Sequence, residues 1–161
     1  MTVFSTSGAT LEVDDRGALN APPASMSSEL VPALECFGAV ANGTAQMGHD
    51  AGYYHTGKSE GCAFFTAFPF GFTMGEMAAW IKHGNGQKLW DELYAPFGIR
   101  GFQAGSTGTQ MFGWFRREIR SLADLDGLKF RTPGNQGRVL QKLGVTPVSL
   151  PGGEIFPALQ S

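Results

Sequence analysis

The hydrophobic positions change period several times along the chain. Leu30, Leu34, Phe37 and Ala41 recur at helical spacing, so the stretch from Ser28 predicts a helix that buries one face. Pro32 falls in its first turn, where proline is tolerated, and Asn42-Gly43 supplies the stop. Upstream, residues 10–13 read as a short strand, 14–17 as a turn and 21–28 as a loop rich in Pro, Ala and Ser. Residues 45–48 and 64–68 are apolar enough for buried strands, separated by a polar, irregular stretch, and Pro69 ends the second. Thr73-Met-Gly-Glu76 is a capping box that opens a helix carrying Met77, Trp80 and Ile81 and breaking at Gly84. A further helix over 87–97 is expected to bury Leu89, Trp90, Leu93, Tyr94 and Phe97, and Gly98 ends it.

The second half of the chain alternates more regularly. Residues 99–103 and 110–115 read as strands. Ser121-Leu-Ala-Asp124 is a second capping box, for a one-turn helix, and Asp126-Gly127 turns the chain into a strand over 128–131. Pro133-Gly134 starts a helix with Val139, Leu140 and Leu143 on its apolar face, closed by Gly144. A strand over 145–150 and a helix over 154–160 follow. Helix, strand, helix, strand, helix, with apolar strands, predicts a parallel sheet covered by helices. In open sheets of that kind ligands lie beyond the carboxyl ends of the strands. Arg131 stands at such an end.

Composition narrows the function classes. The 161-residue chain is 42% apolar and 16% charged, which is globular composition. Its net charge of −2 and pI near 5.9 give no basic footprint for a nucleic acid. The longest apolar stretch, over 63–72, is interrupted by Thr66, Pro69 and Gly71 and is far shorter than the roughly 20 residues of a membrane span. The first residues lack a basic segment followed by an apolar one, so no signal peptide is expected there. That leaves a cytoplasmic protein, or a mature or truncated form of an exported one. The two cysteines, Cys36 and Cys62, make no metal framework; buried thiols are the simpler expectation and a single disulfide the alternative. The last helix has no stop before the chain ends and the first fifth offers one weak strand, so a fragment or a truncated gene product is expected.

Few residues carry chemistry. Arg131 follows an apolar strand and precedes Thr132-Pro133-Gly134, where its planar fork of donors would meet a carboxylate. The helix that begins near Asn135 turns its N-terminus into the same region. A solvated arginine or a structural ion pair is the alternative for Arg131. Gln110 follows a loop of small residues, 105–109, and its amide could donate to a carboxylate or offer oxygen to a hard cation; an exposed strand residue is the alternative. Trp114 is a core residue or a ligand platform, beside Gly113, which allows close backbone approach. Tyr53 and Tyr54 each have a hydroxyl that could reach a ligand, or pack at a surface or hinge. The histidines His49, His55 and His83 form no metal-protease pattern, and no nucleophile elbow or phosphate loop occurs. A metal-dependent enzyme using His49, Asp50 and His55 is the enzymatic alternative.

Taken together, these strings resemble one family. Glu29-Leu-Val-Pro-Ala-Leu-Glu-Cys-Phe-Gly-Ala-Val-Ala-Asn-Gly43 looks like the helix before the first hinge of TRAP (tripartite ATP-independent periplasmic) transporter solute-binding proteins of the DctP type. Ala67-Phe-Pro-Phe-Gly71 is similar to the family's Pro-Phe-Gly segment, and Ile119-Arg-Ser-Leu-Ala-Asp-Leu-Asp-Gly-Leu-Lys-Phe-Arg131 to its signature, continued by Leu143-Gly-Val-Thr-Pro-Val-Ser-Leu-Pro-Gly-Gly-Glu154. The resemblance implies an α/β, type II-like two-lobe periplasmic-binding-protein fold whose cleft closes on the ligand. It leaves residues 1–28 poorly assigned and makes 29–161 a partial solute-binding fold, with part of each lobe present and the chain cut in its last helix. It implies that Arg131 salt-bridges the ligand carboxylate. In the similar subgroup that takes α-keto acids such as pyruvate, the glutamine of Gly108-Thr-Gln-Met-Phe-Gly-Trp-Phe115, here Gln110, touches the ligand and a sodium ion. With Trp114, Tyr53 and Asn135 added from the reading of the residues, the expected ligand-binding set is Arg131, Gln110, Trp114, Tyr53 and Asn135, with Gln110 also at the ion. The implied protein is a periplasmic receptor, not an enzyme. It needs no cofactor beyond a sodium ion bound with the ligand. Its partners are a small organic acid, the TRAP membrane subunits and, in the full-length protein, a second copy in a homodimer.

Overall fold

The computed structural model describes residues 2–6, 12–13, 19–20 and 31–160. The chain divides into two compact units, Met1–Gly52 with Phe72–Ser106, and Tyr53–Gly71 with Thr107–Ser161. The first holds strands β1 (Thr2–Thr6), β2 (Glu12–Val13) and β3 (Leu19–Asn20), helix α1 (Cys36–Ala41), strand β4 (Met47–Asp50), helices α2 (Met74–His83) and α3 (Gly86–Tyr94), and strand β5 (Ile99–Gln103). The second holds strand β6 (Lys129–Arg131), helix α4 (Asn135–Gln141), strand β7 (Thr146–Val148) and helix α5 (Ile155–Gln160).

In the first unit β1 lies between β4 and β5 and is antiparallel to both, with Phe4 opposite Gly48 on one side and Gly101 on the other. A separate two-stranded antiparallel ladder joins β2 and β3. Trp90, Tyr94, Phe37 and Val40 are fully buried and form the centre. Phe37 meets the edges of Tyr94 and Phe97, with ring centroids 5.5 and 5.2 Å apart, an arrangement suited to the aromatic quadrupole. Gly101 of β5 sits where the Trp90 indole passes, and any side chain there would overlap the ring. Gln87 on α3 ties the helix to the sheet by donating to the Gly101 carbonyl at 2.9 Å. The capping box of α2 is present: the Glu76 carboxylate accepts from the Thr73 N–H and hydroxyl, each at 2.8 Å.

The second unit contains the parallel pairing that the alternation predicts. Strands β6 and β7 run parallel, with Phe130 opposite Pro147 and Arg131 opposite Val148. Leu125, Leu140 and Val145 are buried together, with Ile119, Leu128 and Phe130 packed against them. The Asp124 carboxylate caps the short 3-10 helix Leu122–Leu125 by accepting from the Ser121 and Arg120 N–H groups at 2.8 and 3.0 Å. Gly134 precedes α4 with φ of +67°, a conformation that favours glycine, and a Cβ there would lie 2.8 Å from the Tyr53 Cβ.

Several expectations need correction. The first fifth of the chain supplies the central strand β1, not just one weak strand; Thr2–Thr6 alternates too weakly between polar and apolar residues for its pairing with β4 and β5 to be read locally. The expected strand over 10–13 survives as β2, while the turn over 14–17 and the loop over 21–28 lie outside the described residues. The helix expected from Ser28 is described only as a 3-10 turn, Ala33–Glu35, and the six-residue α1. Its buried face is Cys36, Phe37, Ala39 and Val40; Leu34 and Ala41 are exposed. The strand expected over 45–48 is shifted to Met47–Asp50. Residues 64–68 are not a strand: the 3-10 helix Glu60–Phe65 occupies that apolar run, and Phe64 stacks on Phe68 with centroids 4.5 Å apart. Residues 110–115 are not a strand either, but a loop pinned by its aromatics. Leu89, Val139 and Leu143 are exposed where burial was expected. As expected, Cys36 and Cys62 are both buried thiols, and the alternative of a disulfide is not met. Burial pushes the Cys36 thiol above its ordinary value.

Candidate functional site

Alternation along β6 sends Phe130 and Arg131 to opposite faces. Phe130 joins the core and stacks on Phe112 and Phe115, with centroids 5.4 and 5.5 Å away. Gly113, between those two rings, lies so close that a Cβ would be 2.6 Å from the Phe130 ring. The stack holds the loop over 110–115 in place without a strand. It also turns Trp114 outward, 87% exposed. Gln110 lies in the same loop, exposed, its amide donating to the Thr107 hydroxyl at 2.9 Å. That bond orients the amide and leaves its oxygen facing elsewhere.

Arg131 is half-buried at the carboxyl end of β6. Its Nε and Nη2 both donate to the Leu150 carbonyl, at 3.0 and 2.8 Å, and Nη2 donates again to the Tyr54 hydroxyl at 2.8 Å. One edge of the guanidinium is therefore spent on the backbone just beyond β7. Both partners are neutral. Among the described residues no carboxylate pairs with Arg131, in contrast to Arg100 with Asp91, Arg120 with Glu118 and Arg138 with Glu60. A half-buried cation held by neutral acceptors favours an anion from outside the chain. This disposes of the structural ion pair as an account of Arg131 among these residues.

The other expected site residues sit as follows. Tyr53 packs against Gly134 and meets the Tyr54 ring edge-on, centroids 4.7 Å apart, so it supports the tyrosine that reaches Arg131. Asn135 is half-buried in the first turn of α4, whose seven residues give a weak dipole. Arg131, Tyr53, Tyr54 and Asn135 are thus brought together around the end of β6, all within one unit. The Leu150 carbonyl escaped the sequence reading, because every residue carries one and only the strand pairing says which is near.

His49 and Asp50 lie on β4 in one unit and the buried His55 belongs to the other. Among the described residues no group of three His, Cys, Asp or Glu side chains is placed to hold a metal ion. Burial pushes the His49 imidazole below its ordinary value, toward the neutral form. No helix among the described residues is long and apolar enough to cross a membrane.

A parallel βαβ element with an arginine at its strand end is compatible with a solute-binding protein, and similarity to known proteins decides the family. Residues 19–161 match bacterial extracellular solute-binding protein family 7, the DctP family, and the chain belongs to it. It is 48% identical over 133 residues to a monocarboxylate 2-oxoacid-binding periplasmic protein of Nostoc sp., a match covering 83% of this chain and 36% of that protein. Among solved structures it is similar to a TRAP periplasmic solute-binding protein of Pseudoalteromonas atlantica with bound sodium and pyruvate. That match has 48% identity and a TM-score of 0.77, over 80% of this chain and 39% of the other. It is also similar to a TRAP transporter solute-binding protein of Bordetella bronchiseptica, a dimer with copurified calcium and picolinate, at 42% identity and a TM-score of 0.81. That match covers 83% of this chain and 40% of the other. The expected α/β two-lobe fold is the one these receptors share. The chain spans well under half the length of each of them.

Proposed function

We propose that this chain is part of a periplasmic receptor that binds a small 2-oxo monocarboxylate such as pyruvate and presents it to TRAP membrane subunits for ion-gradient-driven uptake. The observation that carries the reading is Arg131: a half-buried guanidinium fixed by Leu150 and Tyr54, with no carboxylate partner among the described residues. One uncompensated positive charge suits one carboxylate. The relatives that bind pyruvate, picolinate or 2-oxoacids support that ligand class. Gln110, Trp114, Tyr53 and Asn135 complete the proposed ligand-binding set. The reading is a receptor and not an enzyme; an organic acid, the membrane subunits and a second copy of the chain are its partners, and nucleic acid is not.

The sodium and calcium of the relatives raise the question of a cation here. One N–H of the Gln110 amide goes to Thr107, and the amide oxygen is the atom that suits a hard cation. With the ligand's own oxygens this donor set fits sodium or calcium rather than a thiolate- or imidazole-seeking metal. Such an ion would neutralise charge beside the carboxylate; the chain's part is to orient the amide oxygen toward it.

Isothermal titration of the purified chain with pyruvate tests the reading. Heat of binding is expected, and Arg131→Ala is expected to weaken it by about 2–4 kcal/mol, since truncating one member of a hydrogen-bonded charge pair strands the other. Absence of binding by any small 2-oxoacid overturns it.

A further inference from the structure

Arg131 and Tyr54 share a hydrogen bond whose proton arithmetic has a consequence for specificity. A tyrosine hydroxyl has one proton to give and two lone pairs to accept with, while a guanidinium only donates. The 2.8 Å bond from Arg131 Nη2 therefore fills an acceptor site on Tyr54 and leaves the hydroxyl proton pointing elsewhere. Among the described residues nothing accepts that proton, and nothing accepts from Arg131 Nη1. Nε and Nη2 are committed to Leu150 and Tyr54. The arginine therefore does not offer its fork along the Leu150 edge. It offers Nη1, with the Tyr54 hydroxyl as a second donor next to the same guanidinium. The Tyr53 ring edge against Tyr54, and Tyr53 lying over Gly134, fix the phenol in position.

Two neighbouring donors of different kind fit a ligand with two neighbouring acceptors of different kind. Resting on the carboxylate reading above, we propose that Tyr54 is the specificity-determining residue for the second position of the acid. Arg131 Nη1 takes the carboxylate and the Tyr54 hydroxyl donates to the oxygen on C2. A 2-oxo or 2-hydroxy acid satisfies both donors. A plain alkanoate of the same length satisfies one and leaves the phenol proton without an acceptor in a half-buried place, which costs binding.

The test compares pyruvate with propionate, which lacks the C2 oxygen, by titration calorimetry on the wild-type chain and on Tyr54→Phe. The wild type is expected to prefer pyruvate by about tenfold, the worth of one hydrogen bond to a satisfied donor. Tyr54→Phe removes one tether of Arg131 and is expected to weaken both acids, but pyruvate by the larger factor, so that the ratio moves toward one. If both acids weaken by the same factor, Tyr54 acts only by holding Arg131 and the proposal is overturned. An unchanged ratio overturns it too. Melting curves report whether Tyr54→Phe folds; where it does not, the wild-type ratio decides, and a ratio near one overturns the proposal. Binding of neither acid by the wild type would instead bring down the carboxylate reading itself, so the two failures are distinguishable.

Discussion

Arg131 does two jobs with one group. Its Nε and Nη2 bind the chain to itself at the Leu150 carbonyl, and in the proposed reading Nη1 is left for a ligand. Lysine would keep the charge but gather its three donors on one nitrogen, losing the planar spread by which Nε and Nη2 hold Leu150 and Tyr54 while Nη1 stays apart. Arg131→Lys is accordingly expected to bind pyruvate more weakly than wild type and more strongly than Arg131→Ala. Titration calorimetry checks the order; a lysine variant equal to wild type would mean that charge alone suffices. Serine, glutamine or any other residue at position 150 would still offer the carbonyl, so side-chain substitution there is a poor probe of the tether.

The elements that carry the site are short, and their ends are held by side chains. The 3-10 helix Leu122–Leu125 leads into β6, and its entry is fixed by Asp124. The backbone N–H of Arg120, then the hydroxyl and N–H of Ser121, hold the Asp124 carboxyl below its ordinary 3.8. Because the folded value lies below the unfolded one, this contribution is fully present above about 3.8 and is lost as the pH falls through the lowered folded value. Asp124→Asn is expected to melt at a lower temperature than wild type at pH 7, with the difference shrinking as the pH is taken below 3.8. A constant difference between pH 7 and pH 3 would mean that the cap does not act through its charge. The cap lies at the surface, so salt is expected to weaken the effect. The loop over 110–115 is organised differently: the stacking of Phe112 and Phe115 on Phe130 replaces the ladder bonds of a strand.

At the scale of the whole molecule, the chain crosses between its two units at Gly52/Tyr53, Gly71/Phe72 and Ser106/Thr107. Arg131, Tyr53, Tyr54, Asn135 and Leu150 belong to the second unit, while the three-stranded antiparallel sheet belongs to the first. A ligand that binds only the folded state raises stability by mass action, about 2.7 kcal/mol at a hundredfold excess over Kd. Pyruvate at that excess over the wild-type Kd is expected to raise the melting temperature of wild type and to raise that of Arg131→Ala by much less. Scanning calorimetry with and without ligand checks this; an equal shift in both would place the binding elsewhere.

The sequence by itself determined the elements whose signals are local. Both capping boxes, the helices α2 to α4, the glycine stops at Gly98 and Gly144 and the parallel β6–β7 pair follow from residues a few positions apart. The signature ending at Arg131 marked the residue on which the proposed carboxylate binding rests. Tertiary structure alone decided the pairing of β1, because a strand's partners lie far off in sequence and its pattern is as compatible with one register as with another. It likewise decided that residues 64–68 and 110–115 are not strands: apolar runs of that length are ambiguous until aromatic rings find their stacking partners. And it decided how Arg131 is used, since the Tyr54 hydroxyl and the Leu150 carbonyl reach it only once separate segments have been folded side by side.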